Sequence, residues 1–288
     1  MIVVSSGRGI LGFSLMLRDW FCLACARSLG HKFLNSFLKY CVECGSHLTW
    51  NITDAETLEN AIFRLKLEIA RKIGVQKGMT VVDVGCGQGG FTAAVAKTVG
   101  KGGKVLAVDV STEYLDEFTR RLDKYRVKER VAFSQADSAD LRTVIPDEAA
   151  DIVVSYRFLE ELKRPQDISK IVKEMARIVK KRGRVCFTEL STKAENKAEE
   201  AYIRLHKESG DSLFEPEEIA EAMKVVELKN VTVNNVRTSI WFSPDLARQD
   251  LSFAQVWFDA DVEKTLGSSI GKFGMKYPAL FSISGTRR

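Results

Sequence analysis

The sequence contains no apolar run near the roughly 20 residues that a membrane span requires, so no membrane span is expected. It also lacks a strong charge of either sign. Its 43 basic and 38 acidic residues leave +5, a bias that permits contact with a polyanion without demanding one. The first residues, MIVVSSGRGILGFSLML, carry an arginine and a short apolar stretch but no small-residue cleavage site, so they do not read as a secretory leader. Residues 1–17 read instead as an extension, with Met16 as an alternative start. A secreted disulfide framework is missing too. The six cysteines stand at 22, 25, 41, 44, 86 and 186, four as close pairs and two alone. That spacing points to a reduced, cytoplasmic interior and a metal site. What remains is ordinary for a soluble globular chain: 45% apolar, 28% charged, and 288 residues, room for one large α/β domain and a small appendage.

Cys22-Leu-Ala-Cys25 and Cys41-Val-Glu-Cys44 are two CxxC knuckles, and Gly45 follows the second. Four thiolates suit tetrahedral zinc and leave no open position for water or substrate, so the expected metal is structural. The pattern over 18–50 resembles a zinc ribbon. Residues 1–50 hold +3 of the net charge, with Phe33, Phe37, Tyr40 and Trp50 among the basic groups. Basic residues interleaved with aromatics can grip RNA. The alternative is that the aromatics pack a metal-dependent mini-core and the charges solvate it.

Residues 51–78 read as a helix. Thr53 and Glu56 fit a capping box, and Gly74 fits the position just past the end. Leu58, Ile62, Leu65, Ile69 and Ile73 form one apolar stripe, expected to pack on the sheet that follows.

From residue 79 short β-branched runs alternate with amphipathic stretches. Strands are expected at TVVDVG (80–85), KVLAVDV (104–110), RVAFSQAD (130–137), ADIVVSY (150–156) and RVCFTEL (184–190). Helices are expected at 90–100, 112–125 and 167–183. This is the pattern of a doubly wound, mostly parallel sheet, in which ligands sit beyond the carboxyl ends of the strands. Those ends carry Asp83 to Gly87, Asp109, Asp137 and Ser155-Tyr156.

The turn Gly85-Cys86-Gly87-Gln88-Gly89-Gly90 fits two glycine templates at once, so the glycines alone do not name the ligand. A dinucleotide brings an anionic pyrophosphate, for which Asp83 is a poor neighbour. S-adenosylmethionine brings an ammonium and a sulfonium, which accept a nearby anion. Asp109 can accept from ribose hydroxyls in either case, and Asp137 from an adenine amino group.

VVDVGCGQGG, VLAVDVS, QAD and DIVVSYRFLEEL, in this order, resemble the successive motifs of class I S-adenosylmethionine-dependent methyltransferases over roughly 55–190. The resemblance implies a Rossmann-like sheet of seven strands, the last antiparallel, within a domain over 51–288. It implies methionine-moiety contacts at Asp83, Gly85 and Gly87, ribose at Asp109, and adenine at Asp137 with Ser138. Cys86, Gly89, Val110 and Ser155 complete the implied cofactor set. KNVTVNNVRTS and PALFSISGTRR are the sixth and seventh strands. The stretch 243–278 between them departs from the family's short hairpin and is expected to add helices and lie over the substrate mouth.

Methyl transfer is an in-line displacement at an activated carbon, so alignment and water exclusion carry most of the catalysis. Tyr156 and Arg157 are the candidates for positioning a substrate. Glu189, with Glu160 and His206 as alternatives, is the candidate for taking a proton. The fourth strand ends in VSYR and lacks the Asn/Asp-Pro-Pro-Tyr tetrad that accompanies exocyclic base methylation in this superfamily. The expected substrate is therefore a small molecule or lipid precursor. RNA gripped through the ribbon is the alternative, and a nicotinamide-dependent oxidoreductase or idle nucleoside-binding module comes after it.

Overall fold

The computed structural model describes residues 20–22, 27–28, 49–52, 54–162, 168–248 and 260–288. The chain divides into two compact units, Met1–Asn51 and Ile52–Arg288. In the first, β1 (Trp20–Cys22) pairs antiparallel with β2 (Arg27–Ser28) on one side and β3 (Thr49–Ile52) on the other. Of the expected zinc ligands, Cys22 ends β1, while Cys25, Cys41 and Cys44 lie outside the described residues.

The second unit opens with α1 (Ala55–Lys72). Its N-cap is Asp54, whose carboxylate accepts from the Thr57 amide at 2.8 Å; Thr53, the expected cap, lies outside the described residues. Aspartate caps as well as threonine does, so α1 starts at Ala55, and Asn51 and Ile52, expected within the helix, belong to β3. Gly74 takes a left-handed φ of 95° just past the C-cap Ile73, as expected. The apolar stripe splits in function. Leu65, Ile69 and Ile73 are buried, with α1 packed on α2 (Gly90–Val99), whereas Leu58 and Ile62 face a cavity.

Strands β4 (Thr80–Val84), β5 (Lys104–Asp109), β6 (Val131–Gln135), β7 (Ala150–Tyr156) and β8 (Val179–Leu190) are parallel. With β9 (Lys229–Val236) and β12 (Leu280–Thr286) they form a seven-stranded sheet in the order β6-β5-β4-β7-β8-β12-β9. β12 is antiparallel to both neighbours. The seven-stranded, mostly parallel sheet with an antiparallel last strand is the expected fold. Val81, Val82 and Val84 are fully buried in β4 because helices cover both faces of the sheet. Each such side chain contributes roughly 1.5–3 kcal/mol on burial.

Two apolar layers result. One holds α1, α2, α3 (Leu115–Lys124) and α5 (Lys197–Glu208); the other holds α4 (Ile168–Ile178) and α6 (Pro216–Val225). α4 ends at Ile178, five residues before the expected end at Gly183, and β8 begins at once. Arg287 bridges this junction. Its guanidinium donates to the carbonyls of Arg177 (2.9 Å) and Val179 (2.6 Å), and its backbone pairs with Arg182 and Gly183.

The stretch after β9 contributes β10 (Ile240–Phe242), helical residues 244–248 (α7), α8 (Ala260–Phe273) and β11 (Met275–Lys276). Both helices lie within residues 243–278. Among the described residues no helix is long and apolar enough to cross a membrane.

Candidate active site

The carboxyl ends of the parallel strands open into one cavity of about 1120 Å³. β4 delivers Asp83 to it, then turns. Gly85 takes φ 73°, and a Cβ there would stand 2.2 Å from the Phe158 ring, so no other residue fits. The turn is pinned to β5, because the amides of Gly85 and Cys86 donate to the Val108 carbonyl at 2.9 and 3.0 Å. Asp109, at the end of β5, accepts from the Gly87 amide at 2.8 Å and from the Ser111 amide at 3.0 Å. Its carboxylate thus joins two loops and still has lone pairs for a ligand hydroxyl. Beyond it Val110 is 66% exposed on the cavity wall, an apolar surface of the kind that covers a flat ring. Asp137 and Ser138 follow β6 on the same wall. Asp137 uses one oxygen to accept from the Ala139 amide at 2.8 Å.

Asp83 is 1% exposed and accepts from Thr92 Oγ1 at 2.6 Å. Burial pushes its carboxyl up to about 6, against the pull of Thr92 and Lys66. The Cys86 thiol is driven up by burial and by the Asp83 and Asp109 charges, so it stays protonated and acts as a small packing group.

Eight of the ten expected cofactor residues, namely Asp83, Gly85, Cys86, Gly87, Asp109, Val110, Asp137 and Ser138, therefore meet on one cavity. Gly89 and Ser155 do not line it. Gly89 caps α2 with φ 74°, packed against the Phe118 ring, which a Cβ would meet at 2.6 Å. Ser155 is buried on the opposite face of β7 from Tyr156, because side chains alternate along a strand, and its hydroxyl has no partner among the described residues.

β7 delivers Tyr156 and Arg157 to the same cavity. Arg157 has a left-handed backbone (φ 50°), held by its amide donating to the Thr188 carbonyl at 2.8 Å. This unusual conformation for a side-chain-bearing residue turns the guanidinium into a cluster. It donates to the hydroxyls of Tyr202 (2.9 Å) and Tyr277 (3.1 Å) and pairs with Glu160 at 2.7 Å. Burial works against its charge, but Tyr202, Tyr277 and Glu160 more than offset that. Tyr156 and Tyr277 share a hydrogen bond of 3.0 Å, and Phe91 stacks on Tyr156 at 4.7 Å between ring centroids. Glu160 Oε2 is buried with no partner among the described residues.

Glu189 stands behind this wall rather than on it. It accepts from the amides of Phe158 (3.4 Å) and Leu159 (3.3 Å), and burial with the nearby Glu160 pushes its carboxyl up to about 8. His206 also sits back from the cavity, bonded to Asp211 at 2.5 Å and to the Arg157 guanidinium at 3.2 Å. Lys66, Tyr202 and Tyr277 are cavity residues that the strand-end pattern did not indicate. Lys66 had a visible signal: a cation one residue after the buried Leu65 on α1, beside the stripe that turns out to face the cavity.

The family model described as "Methyltransferase domain" matches residues 75–233. The chain is 29% identical over 122 residues to demethylmenaquinone methyltransferase of Lactobacillus johnsonii, covering 42% of this chain and 48% of that one. It is 32% identical over 119 residues to the ubiquinone/menaquinone biosynthesis C-methyltransferase UbiE of Escherichia coli, covering 41% and 45%. The chain thus spans about half the length of the curated relatives it matches. Among solved structures it is similar to a cyclopropane-fatty-acyl-phospholipid synthase-like protein from Lactobacillus casei, with a TM-score of 0.65, 20% identity, and coverage of 82% and 94%. At that identity the likeness shows the fold alone.

Proposed function

The chain belongs to the methyltransferase-domain family, and from that premise we propose that it transfers a methyl group from S-adenosylmethionine to a small molecule held at the aromatic end of the cavity. The observation that carries this reading is the convergence of Asp83, Asp109 and Asp137, from the ends of three adjacent strands, on one cavity. The residues fit the cofactor. Asp83 offers an anion to its ammonium, Asp109 accepts from its ribose, and Val110 covers its adenine beside Asp137 and Ser138. When bound, the cofactor supplies a methyl already activated on a sulfonium. The chain supplies alignment and a dry site. Tyr156 and Arg157 position the acceptor, and the unpartnered Glu160 Oε2 is placed to accept from its O–H or N–H. Glu189 holds the Phe158–Leu159 backbone in place behind them.

A small acceptor is favoured over RNA because aromatic side chains, Tyr156, Phe158, Tyr202 and Tyr277, line the cavity. The named activities of the two relatives, acting on menaquinone and ubiquinone precursors, support an aromatic or lipid-precursor acceptor. Calorimetry tests the reading. S-adenosylhomocysteine is expected to bind and NAD to bind more weakly; tighter NAD binding overturns it. Any RNA affinity is expected to be weak, with a shallow dependence on salt, and a steep slope would favour RNA.

We further infer that Cys22, Cys25, Cys41 and Cys44 hold a structural zinc within an amino-terminal domain at 18–50, ahead of a methyltransferase domain at 51–288. The two CxxC spacings support this, as does the antiparallel pairing of β1, which ends on Cys22, with β2.

A further inference from the structure

The Arg157 guanidinium is held by side chains from α5, from the segment after β11 and from its own loop. Nη1 donates to the hydroxyls of Tyr202 (2.9 Å) and Tyr277 (3.1 Å). Nη2 donates to Glu160 Oε1 (2.7 Å) and faces the His206 ring, whose nearer nitrogen is Nε2 at 3.2 Å. Tyr202 and His206 stand about one turn apart on α5, with ring centroids 4.6 Å apart. The loop after α5 returns to the loop after β7, where the Ser212 amide donates to the Glu160 carbonyl at 2.8 Å. On that loop Asp211 Oδ2 lies 2.5 Å from His206 Nδ1.

Glu160, His206 and Asp211 offer donor atoms within 4.8 Å of one another, a set that would suit a divalent cation. The guanidinium already stands on Glu160 and His206, so the cation that this cluster holds is Arg157. The count of protons then sets the state of the imidazole. The two Nη atoms of an arginine carry four N–H groups, and here each finds an acceptor only if His206 presents a lone pair. An ionised Asp211 only accepts, so the proton of a neutral ring belongs on Nδ1 and the lone pair on Nε2. An imidazolium would set N–H against N–H.

We propose that His206 is a positioning residue: neutral, with its proton on Nδ1 and directed to Asp211, it accepts from Arg157 through Nε2 and fixes the guanidinium at the cavity. The proposal rests on the reading above, in which Arg157 meets the acceptor. It also narrows that acceptor. With every Nη–H group committed to the chain, Arg157 has no free fork for a carboxylate or phosphate, so an acidic acceptor gains no bidentate grip there.

Nuclear magnetic resonance on the full chain, isotope-labelled at histidine and arginine nitrogen, tests this. The histidines are His31, His47 and His206, and the His206 signals are those lost in His206→Gln. At neutral pH Nδ1 of His206 is expected to carry the proton and Nε2 to be bare; a proton on Nε2 alone, or on both, overturns the proposal. The Arg157 Nε–H signal, assigned by its loss in Arg157→Lys, reports how firmly the guanidinium is held. His206→Leu is expected to speed its exchange with water about tenfold or more. His206→Gln, whose amide can accept from Arg157 and donate to Asp211, is expected to stay within about twofold of wild type. Unchanged exchange in His206→Leu overturns the proposal, and so does equal acceleration in both variants, which is what a mere packing role predicts. Should His206→Leu not fold, the wild-type tautomer and His206→Gln decide. Affinity for S-adenosylhomocysteine is expected to stay within about twofold in both variants. If wild type does not bind it at all, the cofactor reading fails, while the two resonance signals still judge His206.

Discussion

The hydroxyls of Tyr156 and Tyr277 lie 3.0 Å apart although 121 positions separate them in the chain. Tyr156 ends a central strand of the sheet, and Tyr277 stands between β11 and β12, beyond the matched family region at 75–233. Their contact builds part of the cavity wall, with the Arg157 guanidinium shared between Tyr277 and Tyr202. The segment after β9 therefore supplies a side chain to the cavity wall that Tyr156 and Arg157 also form.

Tyr277→Phe tests that division of labour. It removes an acceptor of Arg157 and the partner of Tyr156, so unfolding free energy is expected to fall by about 1 kcal/mol in denaturant titration. Affinity for S-adenosylhomocysteine is expected to stay within about twofold, because Tyr277 bonds Tyr156 and Arg157 and makes no bond to Asp83, Asp109 or Asp137. A tenfold loss would mean that the cavity does not divide in this way.

Asp83→Asn separates binding from stability. The variant keeps an acceptor for Thr92 but loses the charge, so S-adenosylhomocysteine affinity is expected to fall by about tenfold or more. The folded-state carboxyl is raised to about 6, so its ionisation costs stability once pH rises through that value. At pH 8 the asparagine variant is therefore expected to melt no lower than wild type. A clearly lower Tm there would contradict the burial cost assigned to Asp83.

Glu189 gives a pH dependence of the same sign at higher pH. Its folded-state carboxyl stands at about 8, above the ordinary carboxylate value of 4.5. Its contribution to stability is full below pH 4.5 and is lost as pH rises through 8. Wild-type Tm is expected to fall between pH 6 and pH 9, and Glu189→Gln to flatten that fall. Scanning calorimetry across the range reads both, and an unchanged slope in the variant removes Glu189 as the cause.

Gly85→Ala meets two penalties at once, a left-handed φ and a collision with the Phe158 ring. A loss of about 1–3 kcal/mol in stability is expected, together with loss of S-adenosylhomocysteine binding in calorimetry. Retention of normal binding would show that the turn is more tolerant than its packing indicates.

Elemental analysis of gently purified protein is expected to find one zinc per chain. Chelation is expected to unfold residues 18–50 and leave cofactor binding largely intact, read by limited proteolysis and calorimetry side by side. Protein without zinc would remove the amino-terminal assignment.

The sequence by itself determined the sheet and the three carboxylates. Buried parallel strands must be short, apolar and β-branched, and a strand-end aspartate is readable wherever such a run stops: Val81–Val84 beside Asp83, Val105–Val108 before Asp109, Val131–Gln135 before Asp137. It also marked the glycine turn, because left-handed backbone selects glycine locally. Where each strand-end residue faces was less legible. Ser155 and Tyr156 are neighbours in sequence, yet only Tyr156 reaches the cavity, since alternation sends the serine into the other layer. Only the tertiary structure brought Lys66, Tyr202, Tyr277 and Arg157 together, from α1, α5, the segment after β11 and the tip of β7. Such a site is made by packing between distant elements, and spacing along the chain carries no record of which distant side chains will share a wall.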